Sequence, residues 1–549
     1  MILILWLVLP LCAGPLTAQT TPLERQTVML PMRDGVKLAT DFYLPPGPGP
    51  WPVVLARTPY NKDFGLEAHK QFTTRGYAFV VQDSRGRFKS EGPIMAYDTD
   101  GWSGGLGDGY DTVEWVATQP WSNGTVGTWG GSALSIAQYL MAGASPPHLV
   151  AQHLNVGAPS MYRDIVYRDG VFRKNLIEEW LKSQKFDPAQ LQAWKSHPTE
   201  DAYWLERDTP SRWGKVNAAG VHIGGWYDAF TQGVLDAYVG YQKKGGPRAR
   251  GNQKLVLGPW PHAVFQRKAG IVEFPTNAVA PPVPLHDPLL FFDHYLKGAK
   301  NGFAAMPSVA YYTMGDTSVP GAPGNVWRTA DSWPPDSHPE TWRFAATGEL
   351  LAPRAVHPAK GVTFLAYDYN PADPTPTEGG NHGGTLPTGP RDQRTVETRK
   401  DVILFTTEPL THPKEITGRV RARLWVASDC PDTDFTVKLC DVRPDGLALN
   451  ICDGLVRMKY RRSLRKPALI RPGTVYPVEV DLWSTSYVFN TGHRLRVEVA
   501  SANYPAYEAN PNTGENPDQA RSTRIAHNRV YVDASHPSQI IFPVPAQPW

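Results

Sequence analysis

The sequence predicts an α/β fold: a mostly parallel sheet with helices on both faces, a helical insertion within it, and an all-β domain at the C-terminal end. Three observations predict it. Short apolar runs alternate with helical segments over the first part of the chain, the strand signal stops between about residues 158 and 212, and from about 340 alternating segments are separated by turn clusters. Strand–helix alternation implies a parallel sheet because parallel neighbours need a crossover, and the crossover helices then cover both faces. At 549 residues the chain is too long for one core; roughly 100–200 residues per domain gives two to four.

The elements follow in order. Gln26–Leu30 and Val36–Thr40 flank Asp34-Gly35, a strong turn dipeptide, and read as an opening hairpin. Val53–Ala56, Tyr77–Gln82, Val126–Trp129, Leu149–Leu154, Val221–Gly224 and Leu255–Leu257 read as buried strands. Ala68–Thr74, Gly109–Gln119, Ala133–Met141 and Leu289–Leu296 read as helices between or after them. Val171–Gln184 and Pro188–Lys195 carry helix patterning inside a region rich in Trp, Tyr and Arg. Gly418–Trp425, Phe435–Asp441, Ala448–Asp453, Val475–Leu482, Arg494–Ser501 and Arg529–Asp533 alternate as strands of a sandwich or jelly roll. Ala366–Asp392, rich in Pro, Gly, Thr and Asn, reads as a long ordered loop crossing between domains. The resulting division is residues 19–157 and 213–335 for the α/β core, 158–212 for the insertion and 336–549 for the β-sandwich.

Composition narrows the partners. A net charge of +3 is almost neutral and gives no ground for nucleic acid or an anionic membrane. Ile2–Leu11 is an apolar stretch of ten residues, too short for the ~20 that span a bilayer. Small residues follow up to Ala18, so residues 1–18 read as an export signal, with an n-region lacking Lys and Arg, and the protein as secreted or periplasmic. No stable membrane insertion is expected. Beyond the signal, Cys430, Cys440 and Cys452 remain; one disulfide or buried free thiols both suit that count. Asp98, Asp100, Asp108 and Asp111 lack the spacing of a calcium loop and read as a solvated surface. Gly104-Gly105-Leu106-Gly107 lacks the Lys and strand–helix context of a phosphate loop. No metal, nucleotide or redox cofactor is expected.

The chemistry concentrates in three strand ends. In Val126-Gly127-Thr128-Trp129-Gly130-Gly131-Ser132-Ala133 an apolar strand runs into Gly-Gly-Ser and a helix starts at once. A sharp strand-to-helix turn pushes a serine hydroxyl outward, and the helix N-terminus favours negative charge beside it. Leu134 breaks the Gly-x-Ser-x-Gly expression, so this segment alone also fits a serine N-cap. Two further strands end in Gly224-Gly225-Trp226-Tyr227-Asp228 and Gly258-Pro259-Trp260-Pro261-His262. Catalytic side chains of open α/β sheets sit on loops at the strands' carboxyl ends. Serine, acid and histidine also come in the order of the α/β-hydrolases. Ser132 is therefore expected as nucleophile, Asp228 as acid and His262 as base.

The chain resembles the cocaine-esterase-like (CocE/NonD) hydrolases, grouped with X-prolyl dipeptidyl-peptidases and α-amino acid ester hydrolases. The resemblance runs from about residue 26 over nearly the whole chain. Besides the strand ends above, it rests on Pro31-Met32-Arg33-Asp34-Gly35, Arg57-Thr58-Pro59-Tyr60, Gln82-Asp83-Ser84-Arg85-Gly86, Asp111-Thr112-Val113-Glu114-Trp115, Gly492-His493-Arg494-Leu495-Arg496 and Asn510-Pro511-Asn512-Thr513-Gly514. It implies an α/β-hydrolase core with an inserted helical cap and a C-terminal jelly roll. It also implies an oxyanion hole made by the Tyr60 hydroxyl and the Ala133 backbone N–H, where each donor typically contributes roughly 2.7–4 kcal/mol. Read without the resemblance, Tyr60 is an amphipathic residue packed after a strand. Ala133 and Ser135 stand where the family has Tyr and Gly, so contacts at the elbow are expected to differ. The cap is shorter than usual for the family, which implies a more open site.

The substrate follows from what surrounds the acid. The α-amino acid ester hydrolases place an acidic pair two and three positions after the catalytic Asp to hold an ammonium group; here Phe230 and Thr231 occupy those positions. X-prolyl dipeptidyl-peptidases usually carry an additional N-terminal domain, whereas the core here begins soon after the signal. Phe230 falls where cocaine esterases place an aromatic in the acyl pocket, and equally suits a core phenylalanine. The expected activity is serine carboxylesterase, acting on a small-molecule ester through an acyl-enzyme. Peptide or amide hydrolysis, or a noncatalytic binding role on this scaffold, are the alternatives.

Overall fold

The computed structural model describes residues 24–63, 67–353, 355 and 361–546; the expected export signal lies outside them. Its first layer is a ten-stranded sheet. The strands are β1 (Gln26–Pro31), β2 (Lys37–Tyr43), β3 (Trp51–Thr58), β4 (Ala78–Asp83), β5 (Ser122–Gly131), β6 (Leu149–Asn155), β7 (Ala219–Gly225), β8 (Gln253–Gly258), β9 (Val309–Thr313) and β10 (Val326–Ala330). They lie in the order β1-β2-β4-β3-β5-β6-β7-β8-β9-β10. From β4 to β9 all neighbours are parallel, and β1, β2 and β10 add antiparallel edges. β4, β7 and β8 are buried at every position, as strands covered on both faces must be. The covering helices include α1 (Glu67–Thr73), α2 (Asp108–Ala117) and α3 (Ala133–Ala144).

Between β6 and β7 the chain leaves the sheet. Helices α4 (Lys174–Ser183) and α5 (Pro188–Ser196) form there around an aromatic core that includes Tyr162, Tyr167, Phe172, Trp194 and Trp204. Asp187 caps α5 through Ala189 N–H, with Pro188 at the first turn. Helix patterning was expected from Val171, but Val171–Phe172 pair with Tyr167–Arg168 as a small hairpin and α4 begins only at Lys174. Two further helices, α6 (Thr231–Lys244) and α7 (Pro288–Lys297), return to the core. The C-terminal part is two stacked antiparallel sheets built on Lys414–Ser428, Asp434–Val442, Ala448–Arg457, Tyr476–Phe489 and Arg494–Ala500. Their inner faces supply Ile416, Val420, Leu424, Phe435, Val437, Val480 and Val497 to one core that also takes in Leu255, Val309 and Tyr311 of the first sheet.

Two expectations need correction. Residues 366–369 are not loop: they end the strand Phe364–Tyr369, paired with Ala526–Tyr531. The remainder does cross, because Thr385 exchanges hydrogen bonds with Asn175 of α4 at 2.9 Å each. The acids 98–111 are not a solvated surface. Asp108 is fully buried and accepts from Arg85 at 2.9 and 2.7 Å, Asp100 pairs with Arg57, Asp98 with Arg207 and Asp111 with Arg33. Each carboxylate meets an arginine distant in sequence, a pairing that local spacing does not reveal. Cys430, Cys440 and Cys452 are buried free thiols.

Candidate active site

β5 stops at Gly131 and α3 starts at Ala133, so Ser132 alone makes the turn, at φ 58° and ψ −124°. A non-glycine residue in that region stores on the order of 1–3 kcal/mol of strain. The surroundings hold it: Ser132 N–H donates to Asn155 O at 2.9 Å, and Ser132 O accepts from Ser135 and Ile136 N–H. Gly130, at φ 138°, admits no side chain, since a Cβ there would lie 2.6 Å from Leu134. The serine that replaces a glycine at 135 is accommodated from across the turn. It is fully buried, and a Cβ on Gly157 would fall 2.4 Å from its Oγ. Glycine at 157 makes the room that Ser135 takes.

The acid and the histidine come from β7 and β8, and two tryptophans lock their loops. Trp226 Nε1 donates to Tyr312 O, Trp260 Nε1 to Ala278 O, and Tyr227 N–H to Trp260 O at 3.0 Å, joining one loop to the other. Gly225 is required there: a Cβ would lie 2.1 Å from Trp260 O. Asp228 is fully buried, and its Oδ2 accepts from Phe230 N–H at 3.1 Å. Its Oδ1 faces His262 Nδ1 at 2.6 Å, and His262 Nε2 faces Ser132 Oγ at 2.8 Å. Asp228 thus fixes which imidazole nitrogen carries the proton and leaves the other free toward the hydroxyl. Burial pulls the imidazole pKa down, but the charge and hydrogen bond of Asp228 lift it more, so the balance is upward. The His262 side chain keeps 41% exposure, so the site opens to solvent.

Tyr60 follows β3 and reaches the same point. It packs against the cluster that includes Ala133 and Phe230, and burial raises the pKa of its hydroxyl against the opposing pull of Trp180, Ser132 and the Ala133 N–H. Ala133 itself is buried at the first turn of α3. Phe230 packs edge-on to His262, ring centroids 5.7 Å apart.

This sheet, elbow and dyad can be set beside known proteins. Cocaine esterase of Rhodococcus sp. (strain MB1 Bresler) is 34% identical, over 94% of this chain and 98% of its own. The chain belongs to the CocE/NonD hydrolase family. Residues 34–190 and 174–264 match the X-Pro dipeptidyl-peptidase (S15 family) model, and residues 301–541 its C-terminal non-catalytic domain. An aminopeptidase of a Thaumarchaeota archaeon superposes with a TM-score of 0.82 at 25% identity, covering 98% of this chain and 99% of its own. An α-amino acid ester hydrolase does so at 0.77 and 26%, covering 97% and 100%. This CocE/NonD protein is a serine hydrolase with the α/β-hydrolase core and C-terminal β domain of that family.

Three side chains at the site escaped the sequence reading. Trp180, on α4, donates its indole N–H to the Tyr60 hydroxyl at 3.0 Å. Arg173 is buried, donates to Ala229 O at 2.9 Å, and sits 5.9 Å from the centre of the Phe230 ring. Arg87 donates to Pro59 O at 2.9 Å and to Gln184 O at 2.7 Å, tying the Tyr60 segment to the cap. The aromatic- and Arg-rich composition of 158–212 was the available signal; which face of α4 turns inward depends on packing.

Proposed function

We propose that this CocE/NonD hydrolase cleaves carboxylic esters with an uncharged, apolar or aromatic acyl group, through Ser132, His262 and Asp228. The observation that carries the reading is the continuous line from Asp228 through His262 to Ser132, at 2.6 and 2.8 Å. His262 takes the Ser132 proton as the hydroxyl oxygen attacks the ester carbonyl, and Asp228 stabilises the imidazolium that forms. Tyr60 O–H and Ala133 N–H hold the developing oxyanion. His262 then protonates the departing alcohol, and water attacks the acyl-enzyme by the same route in reverse.

Acyl preference rests on charge. Next to the acid stand Phe230 and Thr231, and the buried Arg173 guanidinium lies 5.9 Å from the centre of the Phe230 ring. A substrate ammonium held against the Phe230 ring would be repelled by that buried cation. The likeness to an aminopeptidase and an α-amino acid ester hydrolase supports a second reading, turnover of free-amine substrates. One panel separates them: nitrophenyl esters of increasing acyl length, a benzoyl ester, an α-amino acid ester and an Xaa-Pro anilide, with wild type and Ser132→Ala. Ester turnover is expected, falling roughly 10⁴-fold or more in the variant. Equal activity of the two proteins sinks the Ser132 role, and faster cleavage of the α-amino acid ester or anilide than of every neutral ester overturns the acyl preference. Export is proposed with it, supported by Ile2–Leu11 and the small residues up to Ala18; a mature N-terminus near Gln19 in the mass spectrum of exported protein is the expected result.

A further inference from the structure

We infer that Trp180 is a positioning residue for the oxyanion hole: its indole N–H occupies one lone pair of the Tyr60 hydroxyl and so directs the phenol's own proton toward the reacting carbonyl. The inference rests on the reading of Tyr60 as an oxyanion donor. A phenol oxygen has one proton to give and two lone pairs to receive with, while an indole N–H only donates. With Trp180 Nε1 at 3.0 Å from the Tyr60 oxygen, the phenol proton has no acceptor on that side. The other polar groups acting on the phenol are Ser132 and the Ala133 N–H, where the oxyanion is proposed to form. A bond received also strengthens the bond given, by perhaps 10–30% in condensed phases, so the indole makes Tyr60 a better donor as well as an oriented one.

The geometry holds the indole firmly. Trp180 stacks on Tyr97 with ring centroids 5.6 Å apart and planes 7° from parallel, and packs on Phe186 at 4.9 Å. The Arg87 guanidinium lies 4.4 Å over Phe186 and bridges Pro59 O to Gln184 O. The residue before Tyr60 and the end of α4 are thus tied to one side chain, so the cap reaches the chemistry through Trp180 as well as through pocket shape.

The test is a double-mutant cycle on a nitrophenyl ester with kcat and KM read separately: wild type, Trp180→Phe, Tyr60→Phe and both. Trp180→Phe keeps the ring stack and loses the N–H. It is expected to lower kcat about three- to tenfold, the worth of one hydrogen bond, with KM within about twofold. In the Tyr60→Phe background the same change is expected to cost less than about twofold, because the acceptor is gone. A loss equal in both backgrounds, a loss confined to KM, or wild-type kcat overturns the inference. A benzothienylalanine placed at 180 has the indole's shape without the N–H and guards against misfolding of the phenylalanine variant; it must match that variant, and wild-type kcat overturns the inference again. Tyr60→Phe alone is expected to fall roughly 10²-fold. Wild-type kcat there removes the oxyanion role itself, whereas a slow Tyr60→Phe beside a fully active Trp180→Phe removes only the part given to Trp180.

Discussion

His262 and His493 both lean on buried aspartates, and of this pair only His262 faces a hydroxyl. His262 has Asp228 on Nδ1 and Ser132 Oγ on Nε2, and its side chain is 41% exposed. His493 is buried in the β domain with Asp441 on Nδ1 at 2.8 Å and Asp316, from the loop after β9, on Nε2 at 3.4 Å. Tyr487 O–H also donates to Asp441 at 2.7 Å, and Arg443 pairs with Asp316 at 3.1 Å. Burial works against the charge on His493, but the two carboxylates, Asp316 as an ion pair and Asp441 through a hydrogen bond, outweigh it and carry its pKa up to about 9. One carboxylate leaves a histidine with a free lone pair to act as a base. Two fix it as a cation, and here that cation joins the α/β core to the β domain. The His–Asp pair is the same, and the partner of the second nitrogen decides the role.

That comparison can be broken in several ways. His262→Ala is expected to remove roughly 10⁴-fold or more of ester kcat while lowering the thermal midpoint less than His493→Ala does. His493→Ala is expected to keep kcat within about threefold yet destabilise by up to about 3–5 kcal/mol, since it removes the cation shared by two buried carboxylates and leaves them only Tyr487 and Arg443; urea unfolding measures it. Equal effects of the two substitutions on kcat would erase the distinction.

The pH dependences should part in the same way. In the proposed mechanism catalysis needs neutral His262, whose pKa is raised from 6.5, so the acid limb of kcat/KM is expected to have its midpoint above that value. His493 acts on stability instead, with the opposite sign. Its folded pKa of about 9 exceeds 6.5, so its contribution is complete below pH 6.5 and is lost as pH rises through about 9. The stability gap between wild type and His493→Gln is expected to shrink between pH 6.5 and 9.5; a gap that widens over that range contradicts the clamp. The smallest expected effect is at the elbow. Gly157→Ala should overpack Ser135 and cost about 1–3 kcal/mol, and Ser135→Gly in the same chain should restore most of it.

Much of this was legible from residue order. Period and turn chemistry marked the strands β3 to β8, and three strand ends delivered Ser132, Asp228 and His262 because an open α/β sheet presents its carboxyl ends together. What stayed hidden depends on packing between distant segments. Arg85 finds Asp108, Arg57 finds Asp100, Gly157 makes room for Ser135, and Trp180 turns inward onto Tyr60. None of these pairs has a local period or a turn residue to announce it. The Asp98–Asp111 stretch misled for the same reason: a run of acids reads as solvated until its arginines are known.

The central claim, that the Asp228–His262 pair activates Ser132, is tested most directly by mass spectrometry after treatment with an alkyl fluorophosphonate, which captures an activated serine. One adduct on the peptide carrying Ser132 in the wild type, and none under the same conditions in His262→Ala, is the expected result. An adduct on another residue, or equal labelling of Ser132 without His262, would contradict it.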